Sequence, residues 1–345
     1  MRTNRTVWVL ALVMVAVGLG CPGCSTLLSS RAEPFTLVML PDTQNYADAE
    51  AIQRGGDSDL RETFYRQTAW IKEHKDDLNI VMVAHAGDVV QTDHPAEWAI
   101  ADAAFQTIND VAPYILCLGN HDIGRGEADK VSETSRRTNL NAWFPPSRFE
   151  GRPLYQYGGR MDDTSDNYYL LFQAGGMKFL IIALEFKPRD EVLAWANEAV
   201  AAHPKRRCIV VTHAYLDAEG ALYDGSHYNL EGNSGLAMWH KFVKRHKRIF
   251  LVLCGHVLGE SRRADPGGHG NTVHQLLADY QGMDNGGDGY LRIMRFVPKE
   301  DTIEVRSYSP VHDKDLTGDA SRFSLSYRMK KPAARRRAHS ERMER

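Results

Sequence analysis

Short, wholly apolar stretches alternate with longer amphipathic ones along most of this chain. The apolar runs at 35–40, 79–84, 114–118, 168–173, 178–184, 208–212, 249–254, 273–278, 290–296 and 302–307 are rich in Val, Ile, Leu, Phe and Tyr, and their lengths predict strands. Several show no polar alternation, as expected of strands covered on both faces. Helices are predicted at 59–75, 96–110, 189–202 and 235–247. In the third, Val192, Trp195, Ala196, Ala199 and Val200 recur at the spacing that draws one stripe along a helix. Leu236, Trp239, Phe242 and Val243 do the same in the fourth. This alternation predicts an α/β core. The run 273–307 reads instead as consecutive antiparallel strands, which makes the sheet mixed. Phe323, Leu325 and Tyr327 alternate as a further edge strand. The polar stretch 123–166 contains Trp143-Phe144-Pro145-Pro146 and is read as an ordered flap, because loops of this length are usually functional or disordered.

Composition narrows the class. Of 345 residues, 43% are hydrophobic and 25% charged, which excludes a disordered chain and a polytopic membrane protein. The formal net charge is −2, but residues 330–345 alone carry seven Lys/Arg against two Glu. The body is therefore mildly acidic, unlike a general nucleic-acid-binding domain. The tail is read as solvated, with anionic lipid or wall polymer as its alternative partner.

The amino terminus has the form of an export signal. Arg2 and Arg5 precede an apolar run from Val7 to Leu19, too short to span a bilayer comfortably. Gly20-Cys21-Pro22-Gly23-Cys24 follows and resembles a bacterial lipoprotein cleavage site, with Cys21 or Cys24 as the acylated residue, although Gly18 and Cys21 stand where an aliphatic residue is usual. Simple signal cleavage or an uncleaved anchor is the alternative. Cys117, Cys208 and Cys254 each lie in an apolar run without metal-ligand spacing and are read as buried strand thiols.

Five predicted strands end in polar groups. These are Asp42-Thr43-Gln44, Gly87-Asp88, Gly119-Asn120-His121-Asp122, Thr212-His213 and Gly255-His256. Ligands collect outside the carboxyl ends of strands in open α/β sheets. Length alone permits two domains, but groups spread from 42 to 256 meet only within one. Carboxylate, amide oxygen and imidazole together suit a borderline divalent metal such as Zn, Mn or Fe, and the glycines beside Asp88, Asn120 and His256 are expected to allow tight turns.

In order and spacing these pieces resemble the calcineurin-like metallophosphoesterases, whose pattern runs D-x-H, G-D-x-x-D/N, G-N-H-D/E, a lone His and G-H-x-H. The Pro41-Asp42-Thr43-Gln44 start and the closing run around Asp279-Tyr280-Gln281 resemble a secreted bacterial branch of that family. The resemblance implies a four-layer α/β/β/α sandwich of two mixed β-sheets over 34–328, after a leader and linker at 1–33 and before a basic tail at 329–345. It implies two divalent ions. Asp88 would bridge them, Asn120, His213 and His256 would complete the second site, and Asp42 and Gln44 would serve the first. His121 would be the general acid. The expected reaction is hydrolysis of a phosphate mono- or diester, in a small molecule or a polymer, by metal-activated hydroxide outside the cytoplasm. The expected form is a monomer of the cell envelope, lipid-anchored, periplasmic or extracellular.

Three departures from the pattern matter. Gln44 and Leu258 stand where His is usual, so the first site is expected to bind weakly unless a neighbour such as Glu260 fills it. Gln91 replaces the carboxylate that often orients the catalytic histidine, leaving Asp93 or Asp122 as substitutes. His85 is read as packing behind the site, whereas His227 and Arg262 are weighed as substrate contacts against a solvated reading. Two further functions stay open: a catalytically weakened metal-binding envelope protein, and a surface interaction module using the flap.

Overall fold

Strands that are apolar on both faces need cover on both faces, and two stacked sheets with flanking helices supply it. The computed structural model describes residues 33–48, 60–124, 135–225 and 228–329. Cys21, Cys24, His227 and the tail beyond Met329 lie outside the described residues.

The first sheet contains β1 (Phe35–Leu40), β2 (Ile80–His85), β3 (Tyr114–Leu116), β11 (Leu291–Val297), β12 (Thr302–Ser309), β13 (Lys314–Asp315) and β14 (Arg322–Ser326). Its order is β13-β12-β11-β1-β2-β3, with β14 also on β12. The second contains β4 (Gln156–Arg160), β5 (Tyr168–Ala174), β6 (Met177–Ala183), β7 (Arg207–Val211), β8 (Ile249–Cys254), β9 (Gly259–Pro266) and β10 (Thr272–Asp279). Its order is β4-β5-β6-β7-β8-β10-β9. Both sheets are mixed: β1 is parallel to β2 and antiparallel to β11, and β10 is parallel to β8 and antiparallel to β9.

Alternation along the second sheet divides its side chains between two cores. Phe179, Ile181, Ala183, Ile209, Val211, Leu251 and Leu253 belong to the core shared with the first sheet. Leu180, Ile182, Cys208, Val210, Val252 and Cys254 pack with Val192, Ala196 and Val200 of α4 (Asp190–Ala202) and Trp239 of α5 (Gly235–Lys241). Between the sheets, Phe35 stacks on Phe296 at 4.6 Å and meets Phe179 edge-on at 5.7 Å. On the first sheet, Phe64 of α1 (Arg61–Glu73) and Phe105 of α2 (Pro95–Gln106) both pack against His85. No helix among the described residues is long and apolar enough to cross a membrane.

All ten predicted strands form, with shifted ends, and three differences are instructive. The run 273–307 is not one antiparallel set, because β10 joins the second sheet beside β8 while β11 crosses to the first. The fourth helix stops at Lys241 and continues as a 3₁₀ turn over Val243–Arg245. The flap carries α3 (Leu140–Trp143) and β4, and its Phe144 is buried edge-on against Trp98 and Phe105. Cys117, Cys208 and Cys254 are buried free thiols.

Candidate metal centre

The ends of β1, β2 and β3 bring Asp42, Asp88 and Asn120 to one place, and the ends of β7 and β8 bring His213 and His256 to meet them. Backbone hydrogen bonds lock the strand ends together. Thr43 N–H donates to Asp88 O at 3.0 Å, Ala86 N–H to Leu40 O at 3.0 Å, and Gly255 N–H to His213 O at 3.0 Å. Asp88 and His256 have φ of +50° and +76°, a left-handed backbone that non-glycine residues seldom adopt. Such strain persists where the surrounding structure fixes it, often at functional sites.

The motif glycines serve closeness more than turn geometry. A methyl at Gly119 would collide with the Asp88 carboxylate, and one at Gly255 with the Asp42 carboxylate. A Cβ at Gly87 would lie 2.6 Å from His213 Nδ1. Of the three, only Gly87 combines close packing with a positive φ, +96°.

Asp88, His213 and His256 offer ligand atoms that all lie within 4.8 Å of one another. The Nδ1–H of His213 donates to Ala86 O at 2.9 Å, which turns Nε2 toward the centre. That nitrogen faces Asn120 Oδ1 at 3.0 Å, Asp88 Oδ2 at 3.2 Å and His256 Nδ1 at 3.2 Å. With its Nε2–H donated to the Tyr223 hydroxyl at 3.1 Å, His256 keeps a lone pair on Nδ1. Several acceptors thus converge where the protein supplies one proton, an arrangement that a cation satisfies.

The electrostatics agree. Burial alone would lower the His213 pKa, but the Asp88 and Asp42 charges outweigh it and raise it to about 10. Burial lifts the Asp42 carboxyl well above its ordinary range, and the Asp279 charge pushes the same way. Asp42 Oδ2 accepts the His256 N–H at 3.0 Å, while Asp42 Oδ1 and Gln44 Oε1 are buried with no hydrogen-bond partner among the described residues. These orphaned oxygens fit a cation on the first-site side as well.

His121 is half-buried beside the cluster. Its N–H donates to Asp88 Oδ1 at 2.9 Å and its Nδ1–H to the Gln91 carbonyl at 2.8 Å. Neither expected carboxylate orients it. Asp122 instead accepts the Val90 and Gly119 N–H groups, and Asp93 accepts the Trp98 indole and Asn139 N–H groups. His85 packs behind the site. Its Nδ1 accepts the Gly87 N–H, and its Nε2 bonds Thr43 Oγ1 at 2.9 Å. Burial lowers its pKa to about 3.

Glu260 does not fill the first site. It pairs with Arg292 at 2.6 Å and accepts hydrogen bonds from Tyr280, Ser307 and Ser321. Leu258 is 56% exposed. Arg262 stacks on Phe323 at 4.2 Å, and Arg263 pairs with Asp265. The sequence reading assigned no role to Tyr223 or Asp279. Asp279 closes an apolar run, as the other strand-end groups do, and that was its signal.

A two-sheet α/β sandwich with Asp, Asn and His clustered at its strand ends defines a metallohydrolase. The family model for calcineurin-like phosphoesterases matches residues 42–260, more than half of the chain, and the chain belongs to that family of metal-dependent hydrolases. YvnB, an uncharacterized protein of Bacillus subtilis, is 31% identical over 310 residues, a match covering 86% of this chain and 22% of YvnB. The chain therefore spans about a fifth of the length of that curated relative. Among solved structures, the purple acid phosphatase PPD1 from yellow lupin seeds shares the fold, with a TM-score of 0.53 at 14% identity over 86% of this chain and 54% of its own. The calcineurin-like phosphoesterase YfkN from Bacillus subtilis aligns with a TM-score of 0.41 at 14% identity, over 85% and 89%.

Proposed function

We propose that this protein hydrolyses a phosphate mono- or diester outside the cytoplasm, using two divalent ions. The observation that carries the reading is the convergence of ligand atoms from Asp88, Asn120, His213 and the half-buried His256, with the unpartnered oxygens of Asp42 and Gln44 nearby. Bound divalent ions in such a site polarise the phosphoryl oxygens and lower the pKa of a shared water.

The remaining roles belong to the chain. Asp88 would be the anion that both ions share. Its Oδ1 also holds the His121 backbone, so the acid and the ligand move as one unit. With Nδ1 committed to the Gln91 carbonyl, His121 keeps Nε2 to deliver a proton to the leaving oxygen. Phe186, Tyr223 and Tyr228 ring His256 at 5.5, 5.1 and 5.5 Å between centroids. These rings pack around His256 and hold its orientation. Export and acylation at Cys21 or Cys24 rest on the leader, and the substrate is a small molecule or an envelope polymer.

The second reading is a metal-binding envelope protein with weakened catalysis, favoured by Gln44 and Leu258 at two histidine positions. One experiment separates the two. Metal-stripped protein is assayed on a panel of mono- and diesters after Mn, Zn, Fe, Ni, Mg or Ca is returned. Metal-dependent turnover that Asp88→Asn abolishes supports the enzyme. Metal uptake without turnover on any ester supports the second reading, and turnover in excess chelator rejects both.

A further inference from the structure

Glu260 and Asp279 lie at the same end of neighbouring strands, and their surroundings differ. Glu260 has Arg292 as its counter-charge. Asp279 is 1% exposed and has no salt bridge among the described residues. Among the described residues its two oxygens accept from Gln281 alone, the backbone N–H at 2.9 Å and the side-chain amide at 3.0 Å. Both donors are neutral. A buried carboxylate held this way has no cation in direct contact with it among the described residues.

Register places that carboxylate beside the metal centre. In the parallel pair of β8 and β10, Leu277 is level with Cys254, the last residue of β8, so Asp279 lies just past the strand end that leads to His256. In the antiparallel pair of β9 and β10, Asp279 faces Gly259, the residue after Leu258. Leu258, Gly259 and Asp279 line a common cavity of about 330 Å³. Asp279 therefore sits beside the strand end that leads to His256 and opposite the residue that follows Leu258. On the same side, Asp42 Oδ1 and Gln44 Oε1 are buried without partners among the described residues.

We propose that Asp279 belongs to the first metal site, replacing the donor lost at Leu258 and making that site all-oxygen. With Asp42, Gln44 and the shared Asp88, it forms a set of three carboxylates and one amide, chemistry that suits a hard cation such as Mn²⁺ or Mg²⁺. The second site, with two imidazoles, suits Zn²⁺ or Fe. The centre is then asymmetric by ligand type. This rests on the metal-centre reading above and adds a ligand and a metal class to it.

Elemental analysis tests the assignment without an activity assay. Metal-stripped protein is loaded with Zn²⁺ and Mn²⁺ together and dialysed. The wild type is expected to hold one of each. Asp279→Asn should keep Zn²⁺ and bind Mn²⁺ at least about tenfold more weakly, read from the free Mn²⁺ resonance signal. Asp279→Glu, which keeps the charge, should retain Mn²⁺ better than Asp279→Asn. Metal-free Asp279→Asn should melt no lower than the metal-free wild type, because it relieves repulsion with Asp42. Mn²⁺ uptake by Asp279→Asn equal to that of the wild type would overturn the assignment and leave the metal centre standing. A lower melting temperature with unchanged Mn²⁺ uptake would make Asp279 a turn residue only. A wild type that takes up no metal would remove the metal-centre reading and this assignment together.

Discussion

His121 is fixed at two points, its backbone on the Asp88 carboxylate and its ring on the Gln91 carbonyl. A ring tethered through Nδ1 to a neutral oxygen is aimed without the help of a neighbouring anion. Replacing it by Ala should slow cleavage of an alkyl phosphate by about 10²–10⁴, the usual range for losing a general acid. The loss should shrink on a nitrophenyl ester, whose leaving group departs without a proton, while metal content stays that of the wild type. Equal losses on the two esters would show that the ring only shapes the site.

The turns after the strands are as specific as the ligands they carry. The turn after β3 passes so close to Asp88 that residue 119 has no room for a side chain. Gly119→Ala should therefore push the Asp88 carboxylate aside. We expect a loss of about 1–3 kcal/mol in urea unfolding, the usual cost of overpacking, together with reduced metal retention measured on the same preparation. Normal stability with full metal content would show that the turn yields. This scale also explains what the sequence disclosed. Apolar runs marked every central strand, because burial on both faces leaves a continuous signal. β9, written Gly-Glu-Ser-Arg-Arg-Ala-Asp-Pro, lies at a sheet edge with only Ser261 buried and the rest half-buried or exposed, so it carried no such run. β4 contains Gly158 and Gly159 packed under the Tyr169 ring, and its apolar content is supplied by its neighbour. The split of β10 from β11 was hidden because pairing partners are chosen across the fold. The site was legible where a glycine or a second polar residue flagged the strand end. Asp279, flanked by Ala278 and Tyr280, lacked that flag.

Across the molecule, Arg292 joins the two sheets. It sits on β11 of the first sheet, fully buried, and donates to Leu277 O on β10 and to Glu260 on β9 of the second. Arg292→Met leaves the half-buried Glu260 without its cation, although its three hydroxyl donors remain, and should cost about 1–3 kcal/mol in urea unfolding. Adding Glu260→Gln should recover part of that loss. Were the single variant as stable as the wild type, water would have to reach Glu260. The metal centre spans the same boundary, with Asp42, Asp88 and Asn120 from one sheet and His213 and His256 from the other. This division has a consequence in time. Asp42 and His256 touch across 214 residues of chain, so an emerging polypeptide holds the first ligand long before it holds the last. Long-range contacts form late because loop closure must come first. No chain that stops short of His256 contains the complete set, and an ion met early in synthesis finds only scattered side chains. On the proposed ligand set, the choice of metal would therefore be deferred to the folded state, where geometry rather than raw affinity selects it, and to whichever compartment the chain occupies when its two sheets close.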